Sequence, residues 1–154
     1  MITADLTGKR ALVTGGASGI GRATAEALAR CGAVVAVNHL AGDEARAAET
    51  IAAINAGGGQ AVAVVGDVSD ASDAAHMVAN AISALGGLDI LINNAGTPAT
   101  VEPIPFEDFE AMDEDKWQKI LSTNLIGPFR CAKGQRPHSG PPEVASSIPP
   151  RSPD

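Results

Sequence analysis

The sequence contains no tyrosine, and aromatic residues make up only 3% of its 154 positions. The core must therefore be built from Ala, Val, Ile and Leu. Alanine buries little area per residue, so that core is expected to be thin. Cysteine is scarce as well. Cys31 and Cys131 stand far apart in segments that read as helices. They are expected to be two buried thiols, not a disulfide or a nucleophile. No basic run occurs, and 18 acidic against 11 basic residues give a net charge of −7. Nucleic acid is therefore not an expected partner. No apolar stretch reaches the roughly 18 residues of a membrane span. Lys9 and Arg10 are not followed by the long apolar region of a leader. No membrane partner, a cytoplasmic location and no metal site are the expectations.

What is present is an alternation of strand and helix signals, at a length that suits one domain. Residues 10–14 form a short apolar run ending at glycines and read as a buried strand. Ile20, Ala23, Ala27, Leu28 and Cys31 then recur at helical spacing, and Gly32 supplies a stop. Residues 34–37 read as a second strand and 43–56 as a second helix, closed by glycines 57–59. A third strand is predicted over 61–65. Ser69 can cap a third helix with the stripe Ala74, Met77, Val78, Ala81, Ile82 and Leu85. Residues 88–92 read as a fourth strand. Strands apolar along their whole length fit a parallel sheet covered on both faces, and right-handed crossovers favour a doubly wound α/β arrangement. Residues 97–112 are irregular and rich in Pro and acids. A fourth helix is predicted over 113–133, with Trp117, Ile120, Leu121, Leu125, Phe129 and Ala132 among its apolar positions and a weak point at Gly127-Pro128. After Lys133 the pattern stops. Residues 134–154 are dominated by Pro, Ser and Gly, and are expected to be a disordered tail to a domain spanning 1–133.

One stretch carries chemistry. Residues 14–21 read Thr-Gly-Gly-Ala-Ser-Gly-Ile-Gly and join the first strand to the first helix. Glycines there let the backbone turn tightly and let a pyrophosphate approach. The helix N-terminus then offers unpaired N–H groups and the positive end of its dipole. A glycine triplet alone is weak, and a plain tight turn is the competing reading. Its place between strand and helix at the head of a βαβ unit is what strengthens it.

The spacing is Gly-x-x-x-Gly-x-Gly, and with Thr14 before it the stretch resembles the short-chain dehydrogenase/reductase family. Three further stretches match that family in order: Gly66-Asp67-Val68 after the third strand, Asn93-Asn94-Ala95-Gly96 after the fourth, and Asn124-Leu125-Ile126-Gly127-Pro128-Phe129 in the fourth helix. The resemblance covers about residues 6–133. It implies a Rossmann-like sheet, incomplete at about four strands, and an NAD(P)-dependent oxidoreductase moving hydride between alcohol and carbonyl. By position it assigns Gly15, Gly19 and Gly21 to the pyrophosphate turn, with backbone contacts from Ser18 and Ile20. Asp67 would accept from the adenine amino group, with Val68 beside it. Asn93, Ala95 and Gly96 belong to a stretch that would brace the sheet and border the ribose. Asn124 would help hold a proton-relay water. Simpler readings stand beside these: a helix-initiating Asp67, an ordinary strand-ending turn at 93–96, and a polar helix residue at Asn124.

Two departures follow. The second strand's end reports cofactor choice, through an acid for NAD or an Arg for NADP. Here it carries Asn38, His39 and Leu40. Asn38 or His39 could donate to a 2′-phosphate, and Arg22 follows the glycine turn, which leans slightly to NADP. The competing reading of His39 is a surface-loop histidine. The larger departure is catalytic. The family uses a tyrosine to exchange a proton with the substrate oxygen, a lysine four residues later and a serine on a fifth strand. This chain has no tyrosine and no counterpart of that strand or helix. Ser146 and Ser147 lie in the tail and are not assigned the role. Asn124 is then the one remaining family catalytic-site residue. The chain reads as truncated, weak or null in dinucleotide binding on its own, and inactive. The fourth strand would be a bare edge. The helix face with Leu121, Leu125 and Phe129 would be exposed, leaving a family-type oligomer interface incomplete. The rival readings are a non-catalytic dinucleotide-binding module, a subunit pairing with a full-length relative, and a non-functional product frameshifted after Lys133.

Overall fold

The computed structural model describes residues 4–100, 104–105 and 108–135. The expected disorder of the tail falls, beyond Gln135, outside the described residues. The elements run β1 (Arg10–Val13), α1 (Gly19–Arg30), β2 (Val34–His39), α2 (Glu44–Ala56), β3 (Gln60–Val65), α3 (Ala71–Leu85), β4 (Ile90–Ile92), a 3-10 turn (Phe109–Ala111), α4 (Glu114–Leu121), a π-helical turn (Ser122–Ile126) and α5 (Gly127–Gln135). The four strands form one sheet in the order β3-β2-β1-β4, every pairing parallel. This is the doubly wound, Rossmann-like α/β arrangement the alternation predicts.

Strand residues point alternately to two cores. Ala11, Val13, Val35 and Val37 pack with Ala25 and Ala29 of α1 and Ile54 of α2. Leu12, Ala36 and Val64 pack on the other face with Met77, Val78, Ala81 and Ile82 of α3 and Cys131 of α5. Small alanines let the helices lie close to the sheet. Cys131 is fully buried, and that burial pushes its thiol up. Cys31, expected to be buried, is only half-buried, because it ends α1 where the chain turns outward.

Several boundaries differ from expectation, among them that of β2, which runs to His39 instead of residue 37. Asp70 caps α3 in place of Ser69, accepting from the amides of Ser72 and Asp73. A carboxylate is the stronger acceptor and meets the positive end of the helix dipole. The fourth strand starts at Ile90 instead of residue 88, and Leu88 belongs to the core beneath it. The fourth predicted helix divides into α4, the π turn and α5. Pro128 has no N–H to give the carbonyl of Asn124, so the helical ladder must change register here.

The β4 side is open among the described residues. β4 pairs only with β1, and its three residues are half-buried. α4 has no buried residue. Trp117, Leu121, Leu125 and Phe129 recur every fourth residue and stay exposed, Leu125 and Phe129 to 65% each. The bare edge and exposed helix face expected from the sequence are therefore present. No helix among the described residues is long and apolar enough to cross a membrane. No cluster there could hold a metal ion.

Candidate functional site

A cleft of about 570 Å³ opens where the strands end and α1 begins. β1 leads one way to β2, while β4 lies on its other side, so the cleft sits at the sheet's topological switch point, the usual ligand position in such folds.

Its floor is the glycine turn. Gly15 and Gly19 have φ of +62° and +52°, the left-handed region that glycine enters without a steric cost. Ser18, Gly19 and Ile20 are exposed on the cleft wall. The first α1 bond runs from the Arg22 amide to the Ser18 carbonyl, 3.0 Å. The amides of Gly19, Ile20 and Gly21 therefore have no intrahelical partner. Ser18 makes no side-chain cap, and the first turn carries no acid. By contrast, Asp70 caps α3 and Asp113 caps α4. Asp43 makes no side-chain cap on α2 either, but Glu44 stands in that helix's first turn, so of these four helices α1 alone has neither a cap nor an acid at its N-terminus. Gly21 packs inside the turn and not on its cleft side. A Cβ there would collide with the Gly15 carbonyl oxygen and the Asn94 amide. It lets α1 lie against the turn and does not line the cleft.

Residues far apart in sequence hold the turn in place. The Thr14 hydroxyl accepts from the amides of Asn94 and Ala95, both at 3.0 Å. The Asn94 side chain donates to the carbonyls of Thr14 (3.0 Å) and Gly15 (3.3 Å). Of the 93–96 stretch expected to brace the sheet, Asn94 and Ala95 make these contacts, while sequence reasoning did not name Thr14 as their partner. Ala95 and Gly96 line the cleft, while Asn93 is exposed and does not.

The β2 end corrects two expectations. Asn38 is buried, its side-chain Oδ1 accepting from the Gly15 amide at 3.0 Å. Its NH₂ donates to the carbonyls of Gly66 (2.9 Å) and Val64 (3.3 Å). It is an internal strut, not a donor held out to a phosphate. His39 is not a surface-loop residue. It ends β2, is buried, and places Nδ1 2.9 Å from the Leu40 carbonyl oxygen. Arg22 faces Glu26 (2.9 Å) and Glu49 (3.9 Å) and does not line the cleft. The three residues behind the lean to NADP thus have other partners.

On the β3 side, Asp67 and Val68 line the cleft. One Asp67 oxygen accepts from the Ser69 amide at 2.8 Å. α5 supports this loop: Arg130 donates to the carbonyls of Ser69 (2.6 Å) and Val68 (3.3 Å). Gly127 admits the contact, since a Cβ there would lie 2.9 Å from a Val68 methyl. Nothing in the sequence signalled Arg130. Asn124 lies in the π turn, exposed and off the cleft wall. Its side chain accepts from the Thr97 amide (2.8 Å) and donates to the Thr97 carbonyl (2.9 Å). It ties the loop after β4 to the helix. Lys119 and Thr123, also missed, line the cleft from α4 and the π turn. Lys119 is the one lysine or arginine among the lining residues, against Asp43 and Asp67.

The profile of the short chain dehydrogenase family matches residues 9–139. The hydroxyacyl-CoA dehydrogenase ChsB1 of Mycobacterium tuberculosis is 43% identical over 130 residues, covering 82% of this chain and 39% of that protein. The short-chain dehydrogenase/reductase homolog YusS of Bacillus subtilis is 43% identical over 111 residues, 72% of this chain and 98% of that protein. A short chain dehydrogenase of Burkholderia cenocepacia, solved in complex with NADP, superposes with a TM-score of 0.77 at 37% identity, over 88% of this chain and 53% of that one. The chain spans about half the length of most of the curated relatives it matches.

Proposed function

The chain belongs to the short-chain dehydrogenase family, and from that premise we propose that its cleft holds the dinucleotide NAD(P) while the 154 residues alone turn over no substrate. The observation behind this reading is the open N-terminus of α1 at the floor of the cleft. The exposed amides of Gly19 and Ile20 and the helix dipole at one concavity form an anion site, and a pyrophosphate is the anion whose size and charge suit it. The left-handed glycines leave the backbone approachable there.

In this reading Gly15, Ser18, Gly19 and Ile20 hold the pyrophosphate, with Gly21 packing the helix behind them. Asp67 and Val68 border the adenine. Ala95 and Gly96 border the ribose on the β4 side. Asn124 acts through Thr97, fixing that wall's shape. The nicotinamide, when bound, supplies or accepts the hydride. A carbonyl oxygen gaining negative charge also needs a proton, and the sequence holds no tyrosine to deliver one. A positioned acid is worth roughly 10²–10⁴-fold in rate.

The test is a fluorescence titration of the purified chain with NADH and NADPH, followed by a cofactor-consumption assay on a panel of ketones and aldehydes. Weak but saturable binding without turnover is expected. Absence of binding removes the cleft assignment. Turnover removes the claim that a phenol is required.

A further inference from the structure

Lys119 is the one lysine or arginine on the cleft wall, and its use rests on reading the cleft as a dinucleotide site. α1 and α2 pack on one face of the sheet, α3 and α5 on the other. The cleft opens between the start of α1 and the segment of α4 and the π turn that leads into α5. A ligand lying across the strand ends therefore meets the amides of Gly19 and Ile20 from the α1 side. It meets Lys119 and Thr123 from the α4 side.

α4 presents two different stripes. Residues four apart share a helix face, while a step of two turns about 200° around the axis. Trp117 and Leu121 form an exposed apolar stripe. Lys119, two residues past Trp117, lies on the cleft side, with Thr123 four residues further on. The next residue, Asn124, exchanges two hydrogen bonds with Thr97, which also lines the cleft. The backbone behind Lys119 is thus tied to the loop after β4, while its side chain is exposed on a flexible four-carbon stem.

The charges around it single it out. Lys116, one turn earlier, pairs with Asp113 at 2.6 Å and does not line the cleft. Among the described residues the Lys119 ammonium pairs with no carboxylate. The wall also carries Asp43 and Asp67, and both oppose an anionic ligand. A dinucleotide bears its negative charge on the pyrophosphate. Lys119 can offset those acids and meet that charge without giving up an ion pair.

We propose that Lys119 is a phosphate clamp: its ammonium closes on the pyrophosphate from the α4 side, across the cleft from the open N-terminus of α1. The test is a fluorescence titration with NADH, at low and high salt, of the 154-residue chain and three variants, with thermal midpoints alongside. Lys119→Gln should weaken NADH binding roughly three- to tenfold at low salt, the size of one exposed ionic hydrogen bond. It should also flatten the salt dependence and leave the thermal midpoint unchanged. Lys119→Arg should keep most of the affinity, because the charge and reach remain. Lys116→Gln removes the same charge one turn away and should change affinity less than about twofold. Unchanged binding in Lys119→Gln overturns the clamp and leaves the cleft assignment standing. Equal losses in Lys116→Gln and Lys119→Gln overturn it in favour of a diffuse field. A loss matched by a fallen midpoint overturns it in favour of a structural role. A parent chain that binds no NADH overturns the cleft assignment itself, and the clamp with it.

Discussion

The two sides of β1 are built to different standards. Toward β2 the sheet is covered on both faces, although β3, the outer strand on that side, buries only Val64. All of β1 and β2 except their first residues are buried, and the glycine turn above them is held by Thr14, Asn38 and Asn94. Toward β4 the strand is three residues long and half-exposed, and α4 buries nothing. The closed side carries the adenosine and pyrophosphate end of the proposed site. The open side carries the end where hydride chemistry would occur. In the proposed reading, holding a dinucleotide and acting on a substrate would rest on structurally separate parts.

Substitutions should separate the two sides. Leu12→Ala empties a fully buried position shared by sheet and α3. It should cost about 2–5 kcal/mol, read as a large drop in the urea midpoint. Gly21→Ala forces a methyl against the Gly15 carbonyl. Overpacking of this kind costs about 1–3 kcal/mol, and cofactor affinity should fall with it, because the displaced backbone is the phosphate turn. Next comes Asp89, whose carboxyl is held at about 2, below its ordinary 3.8, first of all by the hydrogen bond from the Arg10 side chain. A lowered folded-state value means its contribution is complete above the unfolded value and is lost as pH falls toward about 2. The stability gap between the parent and Asp89→Asn should be widest above about pH 4 and close as acid titration approaches pH 2. Asn124→Ala breaks the paired hydrogen bonds to Thr97 on an exposed residue. About 1 kcal/mol or less is expected, with faster amide exchange at Thr97. The smallest effect belongs to Phe129→Ser on the bare face, within about 0.5 kcal/mol. A loss there as large as that from Leu12→Ala would show that the open side is covered after all.

How much of this was legible in the sequence depended on range. The glycine turn could be read because its constraint is local: a positive φ at Gly15 and Gly19 demands glycine wherever the rest of the chain lies. Apolar periodicity likewise placed the helices and strands to within a few residues. The β2 end could not be read this way. β2 runs on to His39 because Asn38 and His39 pair with Val64 and Val65 of β3, and that pairing buries two residues that look like loop donors. The Thr14–Asn94 brace spans 80 residues, and Arg130 reaches the β3 loop across 61. Neither leaves a periodic trace. The bare face of α4 and α5 was foreseen from its apolar spacing. The π turn was not, although Pro128 marks the missing N–H that produces it.

The most direct check is an amide chemical-shift map of the 154-residue chain during NADH titration. The largest changes should fall on the backbone N–H groups of Ser18, Gly19 and Ile20, with smaller ones at Asp67 and Val68. Shifts confined to Trp117, Leu121, Leu125 and Phe129, with the first turn of α1 unmoved, would contradict the account.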